Sequence, residues 1–561
     1  MAFQWRTFGV TMVLVTVVAA AAWSSWWSPF YMENDDVTIR MALEGRSAPG
    51  QPPTGFALMT HAVLGWAIVA MQRMLPVISW WDVVLAGTFL WSLAVLIALV
   101  WDALGSDWLA RATAVGALIV GIAPLVASFQ FTISATLAGG AAALLAATEL
   151  SSARPRRTVL AMATLLFAAG LLIRPMGGPA GAVVAAFLSW PLLRARRWVL
   201  AYVLGIVGIV GMFFVAAQYV DSVLYATSDE WNTYYRFNVI VGPLLEWGSD
   251  LSGRYAREIH DSVGWSANDW TMFFAAMAVD PQVHSLDRFS QAYEVQTAIL
   301  DRVGVLSWMF ARMTKAPVQS LQDVLSSASL ATIAGGALAA AYGTRRAAAE
   351  AVAVLLLFCV LCFAIEVAFA KLPWRLLGPL QVIFMATTVL TIGASRRVAS
   401  PALGIMALGA ILAMAAPLLS AAAHEASDRR GRSEEVADGE VVALQRLSPS
   451  LVIFHSAAFP REFWWRPFHR PPAGLPAVTL GWNNQNPQVQ RFLTDTGRQP
   501  LLRALCTAPS IFIVAERRPL DAVTIYLREH FDMSVKWTQV YAGSFLAWRC
   551  STLDHPQSEI P

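Results

Sequence analysis

Charge is what this sequence has least of. Of its 561 residues, 14% are Asp, Glu, Lys or Arg, against roughly 25% in an ordinary globular chain. The hydrophobic share is 57%, with 23 Trp, and a chain of that composition belongs in a bilayer. A soluble enzyme, a fibrous protein and a disordered chain are thereby excluded. Cysteine is scarce too: four Cys rule out a disulfide-dense scaffold. The net charge is only +3, and no zinc-finger spacing or basic patch interleaved with aromatics is present, so no nucleic-acid partner is expected. Lysine is nearly missing, 3 Lys against 37 Arg, a bias that goes with a GC-rich bacterial genome. No internal repeat is visible, so the inverted-repeat plan of many transporters finds no support.

The charge that is present is unevenly placed. Residues 221–320 hold 19 of the 77 charged residues and residues 422–561 hold 29, leaving 29 for the other 321. The pattern predicts a low-charge membrane body with two water-facing segments.

A hydrocarbon core about 30 Å thick takes about 20 mostly apolar residues to cross as helix, and lipid admits only helices or closed barrels. Continuous apolar runs predict about 11 transmembrane helices, near 7–27, 82–101, 113–128, 132–150, 158–173, 178–193, 198–219, 324–343, 350–370, 376–393 and 401–421. The first follows Arg6 as a signal peptide would, but it runs on into Trp23, Trp26 and Trp27 with a poor small-residue cleavage pattern, and reads as an uncleaved anchor.

Basic residues near span ends are retained in the cytoplasm. Arg154, Arg156 and Arg157, then Arg194, Arg196 and Arg197, Arg345 and Arg346, and Arg396 and Arg397 therefore mark cytoplasmic turns and a cytoplasmic N-terminus in the cell (inner) membrane. Residues 28–81, the turn at Arg174, the 221–320 loop, the Lys371–Arg375 turn and the C-terminal segment fall outside. A full crossing by residues 56–75 would break this count, and His61, Gln72 and Arg73 make that run polar, so it reads as an outer interfacial or re-entrant helix.

The predicted organisation is a multi-pass membrane domain over 1–421, a charged linker or emerging helix over 422–440, and an extracytoplasmic α/β domain over 441–561. In the last, 441–447, 451–457, 510–516 and 545–550 read as strands and 521–531 as an amphipathic helix.

The most conspicuous polar feature follows the first span: Tyr31-Met32-Glu33-Asn34-Asp35-Asp36. Three carboxylates in four positions repel one another and lose solvation beside a bilayer, so they need partners or a function. A solvated loop start or helix cap is the plainer reading. Gly45-Arg46 and Gly50-Gln51-Pro52-Pro53-Thr54-Gly55 then form a tight loop before the interfacial helix.

In layout the whole chain resembles the GT-C class of integral membrane glycosyltransferases: an acidic motif in the first outer loop, surface-lying helices after it, ten or more spans and a C-terminal extracytoplasmic domain. The motif evidence rests on Glu33, Asp35 and Asp36, with the Pro52-Pro53 loop. The chain also looks like a bacterial subgroup of that class with an Asn-Asp-Asp loop and stretches such as Gly264-Trp265-Ser266-Ala267-Asn268-Asp269 and Gly481-Trp482-Asn483-Asn484. The resemblance implies a GT-C-like polytopic α-helical protein that transfers a sugar from a polyprenyl-phosphate donor to a glycan, lipid or protein acceptor of the cell envelope.

Such chemistry needs a carboxylate within hydrogen-bond reach of the acceptor hydroxyl. Asp35 or Asp36 can serve as the catalytic base, and the resemblance favours Asp35. Glu33 could join them around a divalent cation, Mg or Mn, since hard cations take carboxylate oxygens; some members of the class need one and others do not. The departing phosphate is best held by outer cations, for which Arg375 is the leading candidate, with Lys371 and Arg174 beside it, each also readable as a snorkelling charge. Glu33, Arg40, Asp269, Trp265 and Glu366 are the candidate substrate-binding residues. Glu366 sits inside a span, where an ionisable group is a functional hypothesis by default.

The 221–320 loop also carries Trp231, Tyr234, Tyr235, Arg236, Asn238 and Trp270. Aromatic faces beside polar groups suit sugar rings, although rings at helical spacing more often pack a helix onto the bilayer surface. Gln130 and Thr132 read as a satisfied helix turn. Cys359 and Cys362 lie within a span and read as packing, while Cys506 and Cys550 fall in the oxidising outer compartment, where a disulfide can form. Two alternatives share parts of this pattern, a transporter or flippase for lipid-linked glycans and a glycan polymerase or ligase. A transporter calls for charges and broken helices near mid-membrane, whereas the acids here gather at one face.

Overall fold

Apolar runs in lipid must satisfy their own backbone, and they do so as helices. In chain order the elements are α1 (Trp5–Ser25), β1 (Phe30–Tyr31), α2 (Asn34–Leu43), α3 (Ala62–Met74), α4 (Trp80–Ala103), α5 (Trp108–Val126), β2 (Ser128–Phe129), α6 (Phe131–Leu150), α7 (Arg157–Ile173), α8 (Gly177–Leu188), α9 (Trp190–Leu193), α10 (Val199–Tyr225), α11 (Asp229–Ser262), α12 (Ala267–Phe274), α13 (Leu286–Val303), α14 (Arg345–Phe369), α15 (Trp374–Ala394) and α16 (Pro401–Glu434). A π-helical turn (Glu435–Glu440) leads into α17 (Val441–Arg446), β3 (Leu451–Phe454), α18 (Arg461–Trp464), β4 (Ala477–Thr479), α19 (Pro487–Asp495), α20 (Leu501–Thr507), β5 (Ile511–Val514), α21 (Arg517–Phe531), β6 (Val535–Ala542) and β7 (Leu546–Thr552). This computed structural model describes residues 3–25, 29–193, 199–304, 307–308, 341–369, 373–394, 401–455, 458–459, 461–469, 474–481 and 485–553. Lys371, Trp482 to Asn484 and all but the end of the 324–343 span lie outside them.

Ten of the eleven expected spans coincide with helices. Among the described residues α1, α4, α6, α10, α14, α15 and α16 are long and apolar enough to cross a bilayer, and α5, α7 and α8 provide shorter apolar stretches. The bundle is organised around α6 and α15, which are buried along almost their whole length, with α4, α7 and α8 packed on α6. On α1, α10, α14 and α16 the apolar side chains Val13, Leu204, Val360 and Ile405 instead face outward, as lipid-facing surfaces do. Contact between α6 and α8 is a glycine seam. A Cβ on Gly139 would collide with the Gly178 carbonyl, and one on Gly181 with the Thr136 carbonyl, the small-residue approach that membrane helices use in place of a hydrophobic drive.

The alternation of spans brings one set of helix ends together. β1 and β2 pair in parallel, Tyr31 opposite Phe129, joining the exit of α1 to the entry of α6. The Trp23 indole N–H donates to the Val126 carbonyl at the end of α5 (2.9 Å). α3 stays at this end: the backbone N–H of its first residue, Ala62, donates to Asp221 near the end of α10 (2.7 Å), and the N–H of its N-cap His61 donates to the Leu172 carbonyl at the end of α7 (3.0 Å). With 13 residues, α3 is about 20 Å long, too short to span, and α4 sets out from the same face.

The C-terminal sheet has the order β4-β3-β5-β7-β6, with β3 parallel to both β4 and β5 and with β7 antiparallel to β5 and β6. One expectation changes and one open alternative is decided. Residues 441–447 form α17 instead of a strand, because the helical register continues from α16 through the π turn and buries Val441 and Leu444 on one face. Residues 422–434 are the last turns of α16, so of the two readings of the charged segment the emerging helix holds, and it carries the chain into the α/β domain.

One apolar core joins the 221–320 loop to that domain, with Phe237, Trp265, Met272 and Phe289 packed together with Leu480, Leu505, Val523 and Tyr526. Polar ties follow the same boundary: Asn268 to the Ala522 carbonyl (3.0 Å), Tyr526 to Asp280 (2.9 Å) and His530 to Asp269 (2.8 Å). Cys506 and Cys550 are disulfide-bonded, linking α20 to β7.

Candidate active site

The acidic loop folds as the start of a helix. Glu33 is the extended N-cap residue of α2, and Asp35 and Asp36 occupy its first turn, where carboxylates complement the positive end of the helix dipole. Helical geometry then separates the two aspartates. Asp36 turns inward and is wholly buried, its Oδ1 accepting the Phe131 backbone N–H at the start of α6 (2.9 Å). Burial drives its carboxyl well above the ordinary carboxylate range, opposed by that hydrogen bond and helped by the charges of Asp35 and Asp82. Asp35 turns toward the open side, with about a quarter of its side chain exposed.

Arg375, in the first turn of α15, reaches both outer acids. Its Nη1 is ion-paired with Glu33 and lies 3.8 Å from Asp35 Oδ2. The proximity of Arg375 to this loop unites residues more than 300 apart in sequence. Arg174, on the α7–α8 turn, lies over the Phe131 ring at 5.0 Å and exerts its charge on Asp36. Lys371 lies outside the described residues. Glu366 is buried within α14, and its Oε2 has no hydrogen-bond partner among them.

A metal does not fit the three acids as they stand. Asp36 has turned away and given one oxygen to a backbone amide, and the place between Glu33 and Asp35 is held by the Arg375 guanidinium. Convergence of three carboxylates on one point is what a hard cation requires. Among the described residues, the group whose ligand atoms do converge is Asp269, Glu529 and His530, within 4.8 Å of one another. There Asp269 closes a capping box on Ser266 and holds His530, so it serves the junction of α12 with α21.

Several other candidates prove structural. Arg40 is 1% exposed and fully engaged: Nε donates to Glu44 (2.7 Å), Nη1 to Tyr31 (3.0 Å) and to the Arg466 carbonyl (2.9 Å), and Nη2 to the His469 carbonyl (2.5 Å), with Asp82 at 3.2 Å. A guanidinium so buried and so committed is held in place by its own partners, and it locks the acidic loop to the C-terminal domain. Trp265 is likewise buried, its indole donating to the Val283 carbonyl (2.8 Å), because Gly264 at φ +68° and the Ser266 cap turn it into the apolar core. It offers no face to a sugar. Asp269 is 2% exposed and spent on its cap and ion pair. Trp231 and Tyr234 pack with Phe56 and Tyr225 in a closed aromatic cluster against which Tyr235 rests, while Arg236 is exposed and Asn238 donates back to the Tyr234 carbonyl. Trp270 packs beside Trp265 in the loop core. Gln130 caps α6 through the Ile133 N–H (3.0 Å) and meets Thr132 at 3.3 Å.

Three residues were not anticipated. Asp82, one turn into α4 and wholly buried, accepts the Tyr31 hydroxyl and the Phe468 backbone N–H (2.8 Å). A carboxylate at the start of an apolar run was the available signal. Arg461 and Glu462 open α18, which packs on α2. Arg461 is 3% exposed and donates to Thr479 (3.2 Å), and among the described residues its Nε has no partner. Burial pushes it down to about 10 against the opposing pull of Asp35 and Glu462. Burial likewise raises Glu462, with Arg461, Arg429 and Arg432 opposing. These positions lie more than 420 residues from the acidic loop, and only a Trp-rich stretch, Phe463-Trp464-Trp465, marked the neighbourhood.

Two cavities flank this cluster and share Glu462. One, of about 280 Å³, lies where α1 and α16 leave the bundle and is lined by Trp23, Phe30, Arg429, Arg430 and Arg466. The other, of about 320 Å³, lies between α2 and the sheet, with Asn34, Arg432, Glu516 and Ser544 in its walls. The first is arginine-rich and aromatic, the second mixed with an excess of carboxylate.

No family model matches this sequence, and no curated protein matches it. Among solved structures the chain is similar to ArnT from Cupriavidus metallidurans bound to undecaprenyl phosphate, at 14% identity and a TM-score of 0.36. It is similar to the same protein in the apo state at 14% identity and a TM-score of 0.37, each comparison covering 96% of this chain and 97% of the other.

Proposed function

We propose that this protein is a membrane glycosyltransferase that moves one sugar from a polyprenyl-phosphate donor to a cell-envelope acceptor at the outer face of the cytoplasmic membrane, with Asp35 as general base. The observation that carries the reading is the meeting of Glu33, Asp35 and Arg375 at the shared end of the bundle, beside an arginine-rich cavity at the membrane exit. Asp36 is the weaker candidate for the base because it is sealed from solvent and holds a backbone N–H.

The acceptor hydroxyl gives its proton to Asp35 as its oxygen bonds to the anomeric carbon. The bond from that carbon to the phosphate oxygen breaks, and its electron pair leaves with the polyprenyl phosphate. Arg375 faces this developing charge. Its ion pairs with Glu33 and Asp35 run through Nη1, and a guanidinium carries five N–H donors, enough to hold a phosphate oxygen as well. Glu33 and Asp35 keep it oriented.

Transfer from a radiolabelled lipid-linked sugar by the purified protein in nanodiscs tests this. Asp35→Asn is expected to insert normally and to lose transfer by about 10²–10⁴-fold, the usual worth of a positioned base. Arg375→Ala is expected to lose about 10²–10³-fold, with donor use weakened more than acceptor use. Full activity in Asp35→Asn would sink the assignment of the base. Glycan analysis of a deletion strain identifies the sugar and the acceptor together.

A further inference from the structure

The α/β domain places a cavity where its topology favours one. From β3 the chain passes first to β4 on one side and then back across to β5 on the other, so the strand order reverses at β3, with β4 and β5 both parallel to it. In open α/β sheets ligands bind in the crevice beyond the carboxyl ends of the strands at such a reversal. The 320 Å³ cavity sits there: Phe459 follows β3, Glu516 follows β5, and Ser544 belongs to the β6–β7 hairpin tip beside the end of β5. Its far wall comes from elsewhere in the chain, with Asn34 at the first position of α2 and Arg432 near the end of α16.

The walls limit the ligand. Glu462 and Glu516 outnumber Arg432, which disfavours an anion, and the arginine-rich cavity on the other side of Glu462 is the better anion host. Glu462 belongs to the walls of both cavities, and among the described residues its Oε2, closed off from solvent, has no hydrogen-bond partner; a carboxyl in that position accepts a hydrogen bond and repels negative charge, which suits a hydroxyl better than an anion. The volume stands at the lower end of small-molecule sites, which run from about 300 to 1,000 Å³, so one sugar-sized group fits and a longer glycan would project from it. Asn34 is the chain neighbour of Asp35, so the helix turn that carries the base also contributes to a wall of the cavity.

We infer that this switch-point cavity, walled by Asn34, Arg432, Phe459, Glu462, Glu516 and Ser544, is the acceptor subsite and takes a neutral, hydroxyl-rich sugar residue. The inference rests on the glycosyltransferase reading for the name acceptor, while the cavity's preference for a neutral polyol stands on its own walls. It also gives the C-terminal domain a direct part in the reaction: β3, β5 and the hairpin tip hold the acceptor, and α2 presents the base.

Saturation-transfer NMR on the full-length protein in nanodiscs, with a panel of methyl hexosides and methyl pentosides and with inorganic phosphate as the anionic probe, tests it. At least one neutral glycoside is expected to bind. Glu462→Gln, which keeps shape and removes charge, and a Trp in place of the wall residue Ala458 (Ala458→Trp), which fills the cavity, are each expected to weaken it tenfold or more; if the Trp variant fails to fold, the Gln variant carries the same expectation. Asp35→Asn is expected to leave this binding unchanged while abolishing transfer. No glycoside binding, binding untouched by both cavity variants, or displacement of the glycoside by phosphate would each overturn the subsite. Retained transfer in Asp35→Asn alongside cavity-dependent binding would overturn the proposed base and leave the subsite standing.

Discussion

Two aspartates adjacent in sequence have opposite fates, and the cause is their place on one helical turn. Asp36 is turned into the bundle and becomes a cap for α6, whereas Asp35 meets Arg375 at the open side. Arg40 shows the same dependence on surroundings. Its guanidinium meets Glu44, Tyr31, Asp82 and two carbonyls of the C-terminal domain. Arg40→Leu leaves Asp82 buried beside the Tyr31 hydroxyl with its cation gone, and breaking such a pair costs about 3–5 kcal/mol. A clear drop in unfolding temperature in detergent is expected, and Arg40→Lys should rescue little of it because an ammonium cannot reproduce the fork. His284, at 1% exposure, gives a pH signature. Burial pushes it down to about 4, against the pull of Asp269 and Asp280. The unfolded chain takes up its proton near pH 6.5 and the folded chain only near 4, so this contribution to stability is present above 6.5 and is lost as pH falls through that window. Thermal unfolding between pH 7 and 4 is expected to show a shallower acid loss in His284→Phe than in the natural protein.

At the level of elements, the glycine seam sets how closely α8 can lie on α6, and with it the position of Arg174 on the preceding turn. Gly181→Val places a branched side chain against the Thr136 carbonyl. Backbone cannot yield as a flexible side chain does, so α8 must move, and overpacking of this kind costs about 1–3 kcal/mol or more. Reduced folded yield and a lower unfolding temperature are expected for Gly181→Val, against little change for Gly208→Val on α10, where a new Cβ meets nothing within 4 Å.

For the whole molecule, the outer loop, the acidic loop and the C-terminal domain share their interiors, so the domain is a structural partner of the membrane body. Its Cys506–Cys550 disulfide closes a separation of 44 residues, which by chain entropy contributes about 4 kcal/mol. Cys506→Ala/Cys550→Ala is therefore expected to expose the domain to limited proteolysis and, because Arg466 and His469 hold Arg40, to loosen the acidic loop as well. Protection of residues 34–43 from hydrogen exchange reads that coupling; unchanged protection there would show that the loop is held by the bundle alone.

The sequence by itself determined the spans, the grouping of 28–81, 221–320 and the C-terminus on one side, and the conspicuous acids Glu33, Asp35 and Asp36, because hydrophobic length and scarcity of charge are local and can be counted. The same counting put Arg375 on that side, while its pairing with Glu33 was decided by the tertiary structure. Only the tertiary structure decided which carboxylate is sealed, that Trp265 and Arg40 are occupied, and that Arg461 and Glu462 stand by the acidic loop. Those outcomes depend on which groups meet across hundreds of residues, and on helical rotation that sends neighbours such as Asp35 and Asp36 in different directions. Residues 441–447 make the same point at short range: Val-Val-Ala-Leu-Gln-Arg-Leu suits a strand by composition, and the helix arriving from α16 makes it a helix.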